Sequence, residues 1–271
     1  MNLRYIKEVS FYQKKDAVIV FLFFICYLIL ITASGFANLL FGLSMLGSWL
    51  NLVAVAVCVV LILYRKERLS SIGFGRENLL GSLGIGLLCS VISIIVLAIV
   101  PLINNCAFAP VVHILSRFGY QLLFIAFAEE VLFRGYIQTR LYGMFKNEVS
   151  AILIGALLFA VMHLPVMLVL NGVAWLFSIS TLFLFVFWFS MHIIFNFVYR
   201  RTGSIFGVVL FHAVFNSVSS IFIDLDTVLF GFDFSYVTHG VIPALLAIVF
   251  LVIEVKTSRS LRTNDNMLSA D

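Results

Sequence analysis

Two adjacent glutamates, Glu129 and Glu130, stand in the run AEEVLFRG, with Arg134 four residues after the second. On a helix Glu130 and Arg134 share a face with the acid first, the better order for an ion pair. Glu129 falls about 100° around the helix from that pair and is left without the arginine. A carboxylate in that position, away from bulk water, is suited to take a proton as a general base. The plain alternative is that all three charges only fasten helices together. Further on, FAVMHLP sets Phe159 and His163 one turn apart, and FHAVFN does the same for His212 and Asn216. His212 and Asn216 both carry hydrogen-bond donors, and two convergent donors are what a developing oxyanion needs. His163 alone is a weak signal, since a lone intramembrane histidine often only bonds one helix to another. Pro165 is expected to disturb its helix and free carbonyls toward a cavity. The spacing of His212 and Asn216 recurs at His192 and Asn196. That second pair is expected near the cytoplasmic boundary, ahead of Arg200 and Arg201, as packing or interfacial residues with a substrate-facing role left open.

The elements that must position these groups are membrane helices. Tyr120–Leu141 is apolar apart from the charges, which places them near mid-bilayer, where each costs about 2.5–3.5 kcal/mol on insertion scales. Such residues are rare and usually face a bundle interior or a cavity. The whole chain of 271 residues is 63% hydrophobic and 11% charged, which excludes a soluble domain. With about 20 apolar residues needed per crossing, eight spans are expected: Ala17–Ser34, Trp49–Tyr64, Leu79–Ile103, Tyr120–Leu141, Ser150–Leu170, Leu176–Tyr199, Ile205–Ile223 and Val241–Val255. The second and last are short, so seven is the alternative count, and the apolar link Gly35–Ser48 either lies at the interface or extends its neighbours. With the N-terminus inside, fifteen of the seventeen basic residues fall on the inner side. Arg134 is intramembrane and Arg117 alone lies outside, so both termini are expected in the cytoplasm. The fold class is therefore an all-α, polytopic membrane helix bundle. It divides into N-terminal spans and a cytoplasmic link (1–115), a core (116–223), and a last outer loop, final span and mobile tail (224–271).

The remaining residues are less informative. Arg4, Lys7, Lys14 and Lys15 before the first long apolar run mark a retained span rather than a cleaved signal. Cys26, Cys58, Cys89 and Cys106 are far apart with no CxxC, and read as apolar fillers. His113 and His239 fall in or beside outer loops and read as solvated or interfacial. The charge of +4 is modest and unevenly placed, which gives no indication of a nucleic-acid partner. No phosphate-binding glycine loop, nucleophile elbow or HExxH is present.

EEVLFR, FAVMH and HAVFN match, in order, the EExxxR, FxxxH and HxxxN motifs of the CAAX prenyl protease and bacteriocin-processing (Abi) family of intramembrane endopeptidases. The chain resembles that family over roughly Tyr120–Ser220. The resemblance implies an intramembrane glutamate-type endopeptidase acting on a hydrophobic peptide or membrane-protein substrate, of CAAX or of bacteriocin or leader type. In it Glu129, helped by His163, activates water, and His212 with Asn216 holds the oxyanion. Glu130 with Arg134 braces Glu129 or contacts the substrate, and the water-filled cavity faces the cytoplasm. The expected location is a cell membrane, that of a bacterium first.

Three alternatives remain open from the residues. In a metal-dependent variant Glu129, His163 and His212 are zinc ligands, although the usual close-spaced ligand pair on one helix is absent. A proton-coupled transporter also lines its path with Glu and His, but no inverted repeat or paired broken helix is visible. A non-catalytic bacteriocin-immunity or scaffold protein would keep the family's shape without turnover.

Overall fold

A computed structural model describes residues 14–75, 78–145, 147–230 and 232–268, and they form a helical bundle. The helices are α1 (Lys14–Phe41), α2 (Leu46–Tyr64), α3 (Leu79–Ile103), α4 (the continuous run Val111–Met144), α5 (Glu148–Asn171), α6 (Ile179–Thr202), α7 (Phe206–Ser217) and α8 (Ile242–Leu268). Among the described residues seven are long and apolar enough to cross a membrane, and the shorter α7, prolonged by a 3₁₀ turn to Ile221, makes the eighth apolar helix. The chain is a multi-pass membrane protein. Its outward faces carry exposed Leu, Ile, Val and Phe, as Leu22, Val60, Leu87 and Ile248 illustrate, where lipid replaces water.

Helix ends follow local chemistry, and several differ from expectation. The link Gly35–Ser48 extends α1, which stops at Gly42 with φ +68°, a left-handed position that favours glycine. Asn147 caps α5 by accepting the Val149 N–H at 3.0 Å, and Ser178 caps α6 through the Thr181 N–H at 3.2 Å. Helix α5 runs unbroken through Pro165, so the expected interruption is absent. α4 starts nine residues before its expected Tyr120, because Pro110 ends the loop and nothing between Val111 and Tyr120 stops a helix. α8 likewise continues past Val255 to Leu268, with no glycine or proline to end it, where a mobile tail is expected. Arg4, Lys7, Arg76 and Lys146, which enter the charge pattern, lie outside the described residues, as do the side chains of Lys14, Lys15, Arg259 and Arg262.

Packing places α4 at the centre. α2 lies against its middle on one side and α7 on the other, while α7 packs closely on α3, and α5 lies between α1 and α6. The α3–α7 contact is a small-residue seam. A Cβ on Gly86 would overlap the Gly207 carbonyl, and one on Gly207 would overlap the Ser82 carbonyl. The Ser82 hydroxyl takes the Gly207 N–H at 3.0 Å and donates to the Ser204 carbonyl at 3.1 Å.

One end of the bundle is tied by ion pairs. Arg65 meets Asp16 at 2.6 Å and Glu67 at 2.8 Å, and Arg140 meets Glu67 at 2.5 Å. Arg200 bridges Glu148 at 2.9 Å and Glu254 at 2.6 Å, joining α5, α6 and α8. The opposite end has the α1–α2 turn, the short loop after α3, and the segment after α7 with its two-residue strands Val228–Leu229 and Phe232–Asp233.

Candidate active site

α4 departs from α geometry on both sides of the glutamates. Gln121–Ala126 and Val131–Ile137 are π-helical, and only Phe127–Glu130 between them is α. Such wide turns occur often at functional sites. A carbonyl of the first wide turn, that of Phe124, accepts from the Asn51 amide at 3.2 Å, while the Tyr27 hydroxyl donates to the other end of that amide at 2.7 Å.

Within this frame the glutamates separate in role. Glu130 is wholly buried, and its Oε1 accepts from Arg134 Nη1 at 3.0 Å and from His212 Nδ1 at 2.7 Å. The expected Glu130–Arg134 pair is therefore present, and because α7 brings His212 onto the Glu130 face of α4, Glu130 also holds that ring. Glu130 itself has no exposure. The Arg134 guanidinium is held between rings, 4.4 Å from the centroid of Phe159 and 4.9 Å from that of Phe195. Phe195 also stacks on the His212 ring at 4.7 Å.

Glu129 stands apart from this cluster and lines a cavity of about 360 Å³. Its nearest ion-pair partner among the described residues is His212 Nε2, at 3.9 Å. His163 lines the same cavity, stacked on Trp188 at 4.4 Å with the rings 10° apart. Its Nδ1 lies 2.8 Å from the Phe159 carbonyl, which can only accept, so Nδ1 carries a proton. In the neutral ring Nε2 is then left as an acceptor. Phe159 thus has two tasks: its ring seats Arg134, and its carbonyl fixes the His163 ring. Asn216 reaches the cavity too, but its amide donates to Gln121 Oε1 at 3.2 Å, so the two donors of HAVFN share a space without meeting.

The other HxxxN pair lies elsewhere. His192 Nε2 is 2.9 Å from Gln138 Oε1, and Asn196 donates to the Tyr142 hydroxyl at 2.8 Å, all four residues being buried. The packing assignment fits them; a boundary position exposed to solvent does not. Among the described residues no three His, Cys, Asp or Glu side chains converge as a metal-binding group, so Glu129, His163 and His212 surround one cavity without forming a ligand set. The four cysteines are unpaired, Cys26 exposed and Cys58 buried.

Residues 110–218 match the family model of type II CAAX prenyl endopeptidase, Rce1-like. The chain carries an Rce1-like core. No curated protein matches the chain. The match covers Glu129, Glu130, Arg134, Phe159, His163, His212 and Asn216 together, so the resemblance read from three motifs and the family model coincide over this segment.

Around that Rce1-like core several lining residues carry no motif or spacing signal. Gln121, Tyr120 and Trp188 line the 360 Å³ cavity. A second cavity of about 270 Å³ shares Tyr120, Glu129 and His163 with it, and opens between α1, α2 and α5 past Asn38, Ser44 and Asn51. A third of about 230 Å³ shares Gln121 and Asn216, and reaches Thr238 and His239. His239, expected to be solvated or interfacial, packs edge-on against Phe187 at 5.4 Å, in a π-helical turn, Val237–Val241, that leads into α8. His113 is exposed on α4, as expected.

Proposed function

We propose that the Rce1-like core is a glutamate-type intramembrane endopeptidase that hydrolyses a peptide bond in a hydrophobic, membrane-associated peptide or protein. The observation that carries this reading is the position of Glu129: a carboxylate outside the arginine pair, on a cavity wall shared with His163 Nε2 and His212 Nε2. Water between Glu129 and His163 donates a proton to the Glu129 carboxylate, and its oxygen adds to the substrate carbonyl carbon. Negative charge then develops on the carbonyl oxygen. His212, its ring held at Nδ1 by Glu130, meets it with Nε2 when that nitrogen carries a proton, and Asn216 adds its amide N–H. As the C–N bond breaks, the proton held by Glu129 passes to the leaving nitrogen. The products are a carboxylate and an amine.

Arg134 and Glu130 act here through His212, as positioning residues. The substrate is either a CAAX-type protein or a bacteriocin or leader peptide, and both present an apolar chain to a lipid-embedded cavity. The test is turnover by purified Glu129→Gln protein in lipid. The amide keeps the shape and removes the base, so hydrolysis should fall by about 10²–10⁴-fold with normal yield and unfolding temperature. Wild-type rates in this variant would refute the glutamate mechanism. Comparative peptidomics of cells carrying wild type and Glu129→Ala then identifies the substrate.

A further inference from the structure

The cavities sit at one end of the bundle, and the basic residues sit at the other. The 270 Å³ cavity is bordered by the α1–α2 turn, at Ser44 and Gly47, and by the last turn of α5, at Leu170. The 230 Å³ cavity is bordered by Pro101 near the end of α3 and by Leu225 and Thr227 after α7. Each of these segments is on the side of the membrane reached at the end of α1. The described basic residues Arg65, Lys66, Arg68, Arg140, Arg200, Arg201 and Lys256 all flank the other ends of the same helices, and at the cavity end Arg117 stands alone.

The basic end is also closed. Between it and Glu129 lie Phe133, Tyr136, Ile137, Gln138 and Leu141, all essentially inaccessible. Beyond them the Arg140–Glu67 and Arg200–Glu254 pairs, themselves buried or nearly so, bind the helices together. Water and substrate therefore reach Glu129 from the cavity end. An excess of Lys and Arg marks the cytoplasmic side of a membrane protein.

We propose that the active-site cavity opens to the extracytoplasmic face, and that its substrate is an apolar peptide segment presented from outside the cell membrane, such as an exported or outer-leaflet chain. This overturns the cytoplasmic opening that the family resemblance implies, and it rests on the endopeptidase reading only for the word substrate. The lining suits an extended peptide. The central cavity shares lining residues with one that reaches polar Asn38, Ser44 and Asn51 on one side and with one that reaches Thr238 and His239 on the other, so a chain crossing Glu129 has a neighbouring cavity on both sides of the scissile bond.

Two measurements on the full-length protein separate orientation from chemistry. The first uses single reporters, Ser44→Cys, Asp226→Cys and Arg68→Cys, each with the four native cysteines replaced by alanine, and a membrane-impermeant maleimide. All three positions are exposed. Ser44→Cys and Asp226→Cys should label in intact cells, and Arg68→Cys only after permeabilisation. The opposite pattern, or labelling of all three in intact cells, overturns the proposal. The second supplies a quenched apolar peptide with charged ends to sealed vesicles of known orientation. Right-side-out vesicles should cleave it and inside-out vesicles should not. Cleavage by inside-out vesicles alone would overturn the outward opening and keep the endopeptidase; cleavage by neither, with the expected labelling, would overturn the endopeptidase and keep the orientation.

Discussion

Glu130 illustrates how a buried carboxylate acts through its neighbours. Its Oε1 is shared by Arg134 and His212, so removing the guanidinium strands a carboxylate in a dry site and loosens the histidine it holds. Arg134→Ala should cost about 3–5 kcal/mol, read as a lower unfolding temperature and poor membrane yield, whereas Glu129→Gln should leave both unchanged. The two HxxxN pairs make a second contrast. Asn216→Ala should lower kcat by about 100–1000-fold with little change in KM, because Asn216 shares the cavity of Glu129. Asn196→Ala removes a bond to the Tyr142 hydroxyl, and Asn196 lines none of the three cavities, so it should cost about 0.5–1.5 kcal/mol of stability with kcat nearly intact. Kinetics and thermal unfolding on both variants decide this, and the reverse ranking would place the chemistry on α6. The motif residues were legible because charged and polar types inside an apolar run have few uses. Their partners were not: that His212 would meet Glu130 depends on how α7 lies against α4, and no spacing within either helix encodes that.

At the level of elements, the α3–α7 seam fixes the height and rotation of the helix that carries His212. Gly207→Ala would drive a methyl into the Ser82 carbonyl, so the helices must part. Overpacking of this kind costs about 1–3 kcal/mol, and the displaced His212 should lower turnover beyond the loss of stability. Gly84→Ala, between Ser82 and Gly86 but on the opposite face of α3 and in open space, is the control and should leave both thermal unfolding and turnover near wild type. Equal effects of the two substitutions would show that the seam does not set the site. Hydropathy located every long helix but misjudged ends. The run of α1 through Gly35 and the π turn Val237–Val241 that leads into α8 depend on neighbours and caps, to which a hydropathy window is blind. The wide turns of α4 were equally invisible, since neither QLLFIA nor VLFRGYI carries a spacing that marks a π turn.

For the whole molecule, charge asymmetry along the chain translates into two unlike ends, one laced by ion pairs and one hollow. The asymmetry could be read directly from Lys and Arg positions. The hollow could not, because it is made by helices that diverge, with Trp188, Gln121 and His239 arriving from different segments. The Rce1-like match stops at residue 218, yet walls of two of the three cavities come from α1, α2 and the segment leading into α8. Two of the three cavities are thus walled partly by residues outside the matched segment, whereas the one that holds Glu129, His163 and His212 together lies wholly within it.

The wide turns that flank the glutamates have a mechanical consequence. An i→i+5 turn holds one residue more than the regular ladder needs, so each is a stored surplus of chain. Losing one residue there would restore the regular ladder and leave both flanking faces nearly where they are, whereas losing one from the α turn Phe127–Glu130 would swing everything beyond it by about 100°. Length changes at Gln121–Ala126 are therefore absorbed locally, and Tyr120 and Glu129 would keep their shared cavity.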